Sequence, residues 1–220
     1  MISVITATYR NPEPLRRAIT SLEAQVHGDW QHVVVADGPD PELRGMMSGL
    51  GYASHGKRVF AELGRNWHSF LGGDSAPQPP GTGGARGPRG SRGVSAYTAA
   101  CYLAGGDLIA YLDEDCEYTE HHLKLLDGAL AAVPHAGFAY ARMQRWVDGH
   151  MLDVVGDGTP RHGAIDGNIV LHRAGLLAAA NWRWGGDADW DLIRRWVNAG
   201  AAWAFVPEVT VRWHHASADM

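Results

Sequence analysis

Residues 107–115 read Asp-Leu-Ile-Ala-Tyr-Leu-Asp-Glu-Asp, and the fold is decided there. Asp107 to Leu112 is a short apolar run of strand length that stops at three acids in a row, Asp113, Glu114 and Asp115. An apolar run without alternation fits a strand buried on both faces. Two carboxylates one residue apart point the same way while the backbone stays extended. Unpaired, they repel. A divalent cation held between them and a diphosphate removes that repulsion, and carboxylate oxygens are the hard ligands that magnesium and manganese prefer. The same residues can also be read as a solvated acidic turn.

The flanking sequence repeats the strand-then-turn pattern. Ile2 to Ala7 is apolar and β-branched and ends in Thr8-Tyr9-Arg10-Asn11; Pro12 to Val26 then carries Leu15, Ala18, Ile19, Leu22 and Val26 at helical spacing, with prolines only at its start. His32 to Ala36 is a second buried strand, stopping at Asp37-Gly38-Pro39-Asp40, and is followed by a helix over Pro41–Leu50 and a strand over Lys57–Ala61. Val94 to Ala104 precedes the acidic strand as a helix. Thr119 is placed to cap a helix from Glu120 to Val133. Further on, Phe138–Trp146 and Met151–Val155 read as a hairpin around Asp148-Gly149, and Ile169–His172 as a short strand. Helices are expected over Arg173–Ala180 and Asp189–Ala199, and final strands over Trp203–Val206 and Val209–Trp213.

Strands alternating with helices in the first half predict an α/β fold with a mostly parallel, Rossmann-like central sheet covered by helices on both faces. The second half predicts a small mixed part. Ligands of such sheets sit beyond the carboxyl ends of the strands. That rule brings Thr8 to Asn11, Asp37 and Asp113 to Asp115 to one crevice. The segment from Leu71 to Gly93 is rich in glycine and proline and carries Arg86, Arg89 and Arg92 with almost no apolar residue, so it reads as a mobile loop. Gly156 to Gly167 reads as a second flexible loop, a lid. The whole chain, 1–220, is expected to be one domain in two halves, about 1–116 and about 117–220.

Composition bounds the function. The chain has 220 residues, 45% of them hydrophobic, so it is long enough to bury a core without staples. A formal net charge of −5 and a pI near 6.1 argue against a nucleic-acid partner bound through phosphate neutralisation. Two cysteines, Cys101 and Cys116, make no disulfide framework and no zinc motif. With no leader-like or membrane-spanning stretch, a cytoplasmic protein without a transmembrane segment is expected.

The chain resembles the family 2 glycosyltransferases, inverting enzymes of the GT-A fold. The resemblance rests on ISVITATYRNPEPLRRAITSLEAQ at the N-terminus, VVVADGPD after the second strand, AGGDLIAYLDEDCEY at the acidic turn and GGDADWDLIRRW later. The resemblance implies that Thr6, Ala7, Thr8 and Tyr9 cradle the base and ribose of a nucleotide-diphosphate sugar, a UDP-sugar or a relative. Asp37 would accept from the base, Asp113 would contact ribose or metal, and Asp115 would hold Mn2+ or Mg2+, with Glu114 between them. The family's arginine in the helix before the acidic strand is missing from Ser95–Ala99, so Arg92 or Tyr97 is the substitute for contacting the base. The acid that precedes Asp37 in the family is Ala36 here, and the base helix has Ala188 where the family has Glu.

Asp189 matches the family's general base, which takes the proton of the acceptor hydroxyl, with Asp187 as the alternative. The chemistry asks independently for one carboxylate on the face opposite the leaving group. One of His214 and His215 is expected at the metal or diphosphate. Trp182 and Trp184 are candidates for acceptor contact, and Trp190 and Trp196 for the core. The Arg195-Trp196 pair lacks the glutamine of processive synthases, Leu192 standing in its place. The implied reaction is metal-dependent inverting transfer of a sugar to a hydroxyl of a saccharide, a lipid-linked acceptor or a small molecule. The alternatives are a nucleotidyltransferase on a similar sheet and a non-catalytic sugar-nucleotide-binding relative.

Overall fold

The computed structural model describes residues 1–66, 93–184 and 187–215. The segment read as a mobile loop lies outside them, apart from Gly93. In chain order the elements are β1 (Ile2–Thr8), α1 (Pro12–Glu23), β2 (Trp30–Ala36), α2 (Pro41–Gly49), β3 (Arg58–Glu62), α3 (Val94–Leu103), β4 (Leu108–Tyr111), β5 (Cys116–Tyr118), α4 (His122–Ala132), β6 (Ala136–Val147) and β7 (His150–Val155). A 3-10 turn, Gly167–Ile169, then leads into β8 (Val170–Arg173), α5 (Leu176–Ala179), α6 (Ala188–Asn198) and β9 (Ala202–His215).

All nine strands join one sheet in the order β3-β2-β1-β4-β8-β6-β9-β5, with β7 paired to the far part of β6. β3, β2, β1 and β4 are mutually parallel, as alternation of strand and helix requires. From β4 outward the sheet departs from the expected mostly parallel arrangement. β8 runs antiparallel to both β4 and β6, and β5 runs antiparallel to β9, so the sheet is mixed. It also curls into a half-barrel instead of lying flat. The reason is topological: after β4 the chain no longer inserts a crossover helix before each strand, and antiparallel neighbours need none.

The helices form where their apolar faces meet the sheet. Val34 and Ala36 of β2 pack with Leu15 and Ile19 of α1 and Leu43 and Met47 of α2, whereas Val33 and Val35 belong to the main core with α3. Successive residues of a strand point to opposite faces, so β2 is covered on both sides. Asp40 caps α2 by accepting from the backbone N–H groups of Glu42 and Leu43, both at 3.1 Å. Thr119 does not cap the next helix. α4 starts two residues later than expected, behind His121, and the Thr119 carbonyl is used by Gln25 Nε2 at 2.7 Å.

Two further differences arise from pairing. Cys116–Tyr118 is too short and too acidic in its middle to show a strand pattern, yet it pairs with Val211–Trp213. The two expected C-terminal strands are one, β9, because Pro207 and Glu208 fall in an irregularity between the Tyr140–Phe205 and Arg142–Val209 pairs, where a missing N–H costs nothing. No helix among the described residues is long and apolar enough to cross a membrane.

Candidate active site

The carboxyl ends of β1, β2 and β4 meet at one end of the sheet. The Asp37 N–H donates to the Thr8 carbonyl at 2.8 Å, and the Leu112 N–H to the Ile5 carbonyl at 2.9 Å. Asp37 is buried, and its carbonyl accepts from Asn66 Nδ2 at 2.8 Å. Thr6 lies deeper, fully buried, with its hydroxyl donating to the Leu112 carbonyl at 2.6 Å and touching His32 Nε2 at 3.0 Å. Its side chain is therefore part of the core scaffold, while Ala7 and Tyr9 keep partial exposure. The Arg10 guanidinium sits 5.1 Å from the Tyr9 ring centroid, at a backbone φ of 54°.

Glu114 turns away from its two acidic neighbours. Its carboxylate accepts from the Thr8 hydroxyl and from Asn11 Nδ2, the latter at 2.9 Å. Asn11 precedes α1 at the cap position but makes no side-chain cap; its Nδ2 donates instead to Glu114. Burial pushes the Glu114 carboxyl up to about 7, against the opposing effect of these two bonds.

Asp113 and Asp115 are both half-buried, and among the described residues their side chains are held by neutral donors. Asn168 Nδ2 donates to Asp113 Oδ2 at 2.9 Å, and Trp213 Nε1 donates to Asp115 Oδ2 at 2.8 Å. Asn168 is itself buried, and its Oδ1 accepts the Asp113 N–H at 2.6 Å. Asp166 caps the 3-10 turn, its Oδ1 accepting from the Asn168 backbone N–H at 2.9 Å and from Nδ2 at 2.8 Å. Asp166 and Asn168 were not singled out in the sequence. Their signal was there, as an Asp-Gly-Asn that forms an Asx turn. The stretch read as a lid thus ends inside the crevice, with Ala164 and Ile165 buried.

Asp189 stands in the first turn of α6, facing the same turn from the other side. Its carboxylate lies against the Gly167 backbone, Oδ1 standing 3.2 Å from the position of a Cβ built on that glycine. Burial first, and then the charge of Asp166, push Asp189 up to about 8. Asp113 is raised well above the carboxylate range by burial and by the charges of Asp115, Asp189 and Asp166. Asp187, the alternative base, pairs with His162 and adopts φ 58° at the helix start without capping it.

Trp182 is buried in a stack, its ring 4.5 Å from Tyr97 and nearly parallel to it, and edge-on to Tyr111 at 5.0 Å. Both of the contacts considered for these residues, Trp182 with an acceptor and Tyr97 with a base, are displaced by this mutual packing. Trp184 is exposed and Trp196 fully buried, its Nε1 donating to the Ala180 carbonyl at 3.0 Å. Alternation along β9 separates the two terminal histidines. His215 stacks on Trp213 at 4.8 Å, on the Asp115 side, and its charge favours ionised Asp115. His214 lies on the other face, 3.5 Å from Glu117. Arg92 lies outside the described residues.

The donor chemistry suits a hard divalent cation. Two carboxylates sit side by side, are raised above all by burial, Asp113 also by the charge of Asp115, and among the described residues take hydrogen bonds from an amide and an indole, not from arginines. Among the described residues, no three histidine, cysteine or acidic side chains converge to hold a metal by themselves. A magnesium-type ion bound through one or two carboxylates plus substrate phosphates needs no such cage.

No protein-family model matches the sequence, and no curated protein matches it. Solved structures do. S. aureus TarS 1-349 superposes with a TM-score of 0.67 at 15% identity, covering 97% of this chain and 60% of that one. The same protein in complex with UDP-GlcNAc gives 0.65 at 17% identity, over 97% and 58%. The mannosyltransferase PcManGT from Pyrobaculum calidifontis, in complex with GDP-Man and Mn2+, gives 0.62 at 13% identity, over 97% and 56%. The chain thus shares its fold with TarS and with this mannosyltransferase, and spans about 60% of the length of these TarS chains.

Proposed function

We propose that the chain is a metal-dependent inverting glycosyltransferase of the GT-A type, carrying a sugar from a nucleotide-diphosphate sugar to an acceptor hydroxyl. One observation carries this reading. Asp113 and Asp115 stand at the end of β4 with no arginine or lysine hydrogen-bonded to them among the described residues, and Asp189 faces them across the Asp166–Asn168 turn. The nucleotide lies over the ends of β1 and β2, with Ala7, Thr8 and Tyr9 beneath the base and ribose and Asp37 receiving a base N–H. Asp113 and Asp115 hold Mn2+ or Mg2+, which when bound neutralises charge on the departing diphosphate. His215, stacked on the Trp213 that donates to Asp115, is the candidate of the two histidines for a diphosphate contact. Arg92 is kept as a candidate for the base.

Asp189 takes the proton of the acceptor hydroxyl as its oxygen bonds to the anomeric carbon and the bond from that carbon to the diphosphate oxygen breaks, inverting the centre. Asp189 acts in its ionised form, and a carboxylate raised by burial is a stronger base than a solvated aspartate. The two buried free thiols suit a reducing, cytoplasmic setting.

The test begins with thermal shifts of the protein with Mn2+ and UDP, GDP, UDP-GlcNAc, GDP-mannose and other nucleotide-sugars, because a ligand that binds the native state raises its melting temperature. Turnover is then read as nucleoside diphosphate released from whichever donor stabilises. Asp189→Asn should abolish release and transfer while leaving the thermal shift nearly intact. Equal loss of both would reduce Asp189 to a structural residue. Pyrophosphate release from a nucleoside triphosphate and a sugar phosphate would instead point to a nucleotidyltransferase.

A further inference from the structure

The turn Asp166-Gly167-Asn168 touches both halves of the proposed chemistry. On one side the Asn168 amide closes a two-point clamp on Asp113, accepting its N–H at 2.6 Å and donating to Oδ2 at 2.9 Å. On the other side Asp189 packs against the Gly167 backbone, its Oδ1 only 3.2 Å from where a Cβ on Gly167 would stand. Gly167 and Asn168 are consecutive and both buried, so the two acids stand against adjacent residues of one short turn. Asp166 locks the turn by accepting from the Asn168 N–H and Nδ2. The space is close-fitting. A Cβ on Gly167 would stand 3.2 Å from Asp189 Oδ1 and 3.6 Å from the Trp182 ring, which is itself immobilised between Tyr97 and Tyr111.

We propose that this turn is a strut that sets the separation between the cation-binding acid and the base. Asn168 is the positioning residue for Asp113, and the Gly167 backbone is the positioning group for Asp189. The inference rests on the reading of Asp113 as a cation ligand and Asp189 as a base. It goes beyond that reading by assigning two residues that touch neither the diphosphate nor the acceptor. Its consequence is a division of labour. Disturbing Asn168 acts on the cation side, and adding a methyl group at Gly167 acts on the base side alone, because the tight neighbour of that methyl is Asp189.

Two variants test it, each checked for folding by circular dichroism and melting temperature. Mn2+ is titrated alone and followed by its paramagnetic resonance signal. The donor that wild type turns over is then used for steady-state release of nucleoside diphosphate. Asn168→Ala should weaken Mn2+ binding by about ten-fold or more, the usual effect of losing a group that orients a metal ligand. Gly167→Ala should leave Mn2+ binding and the donor KM near wild type and lower kcat by about ten-fold, as misplacing a base by a fraction of an ångström does. The strut is overturned if either folded variant behaves as wild type, or if Gly167→Ala lowers Mn2+ affinity and kcat together. Should Asn168→Ala not fold, the KM-against-kcat split of Gly167→Ala decides by itself. Wild-type protein that neither binds Mn2+ nor turns over any nucleotide-sugar overturns the underlying reading and the strut with it, an outcome distinct from normal wild-type behaviour with silent variants.

Discussion

Asn11 Nδ2 donates to Glu114 Oε1 at 2.9 Å, across 103 positions of sequence, and thereby ties the loop after β1 to the acidic turn after β4. The middle acid of the triplet is a brace between the two loops, turned away from Asp113 and Asp115. Its second partner, the Thr8 hydroxyl, belongs to the same loop. Glu114→Ala should therefore weaken nucleotide binding about ten-fold, the worth of roughly one charge-assisted hydrogen bond at ~1.4 kcal/mol, with Mn2+ affinity unchanged. Calorimetric titration with nucleoside diphosphate, and separately with Mn2+, reads both. A loss confined to Mn2+ would mean that Glu114 turns into the crevice after all.

Asp189 makes stability depend on pH in a defined direction. Its folded-state carboxyl is raised to about 8, whereas an unfolded aspartate releases its proton near pH 4. Between these values the native state holds a proton that the unfolded chain has lost. The contribution is complete below about pH 4 and is lost as pH rises through about 8. Asp189→Asn should flatten the fall of melting temperature from pH 6.5 to 8 in the cation-free protein. The buried His32, His122 and His172, all pushed below their usual range, are neutral in the fold while their unfolded counterparts lose protons near pH 6.5, so they raise stability with pH in both proteins, and the Asp189 contribution is read as the difference between variant and wild type. A slope identical to wild type would remove Asp189 from the buried acid group.

Asp191 organises the outer side of α6. Its carboxylate accepts from Arg183 Nε at 2.8 Å, Arg194 Nη2 at 3.0 Å and Arg195 Nε at 2.9 Å. The three guanidinium groups hold Asp191 down to about 2, against the opposing effect of burial. Asp191→Ala leaves three cations facing one another and should cost about 1–3 kcal/mol of unfolding free energy, less at high salt because two of the arginines are exposed. Urea melts at low and high ionic strength check both the loss and its screening.

Gly106 sits where β4 begins, and no side chain fits there. A Cβ would lie 2.7 Å from the Met1 carbonyl and 2.8 Å from the Ser3 nitrogen, both backbone atoms that cannot swing aside. Gly106→Ala should destabilise by about 1–3 kcal/mol through overpacking. Its neighbour Gly105 meets only side-chain ends at 3.6 Å, so Gly105→Ala should be nearly silent in the same denaturation assay.

Much of this architecture was legible in the chain. The strands that became β1, β2 and β4 are continuous apolar runs, and runs of this kind need burial on both faces whatever surrounds them. Asp37, Asp113 and Asp115 were found because each follows such a run, and the carboxyl ends of parallel strands lie at one edge of the sheet. β5 was not found: Cys-Glu-Tyr has no pattern of its own and is a strand only because β9 lies beside it. The turn after Ile165 was read as a lid for a similar reason. Glycine and aspartate mark it as irregular backbone, but nothing local says that Asn168 will be buried against Asp113, 55 residues away.

Local chemistry therefore determined which residues could be strands, where they stop and which acids stand at their ends, because periodicity and turn preference act between near neighbours. Tertiary structure alone decided which way those acids face. It turned Glu114 back onto Thr8 and Asn11, placed His215 and not His214 on the Asp115 side, packed Trp182 between Tyr97 and Tyr111, and set Asp189 against Gly167. Each of these choices joins elements far apart in the chain. Their energies come from burial and from the need to satisfy buried polar groups, which no single stretch of sequence contains.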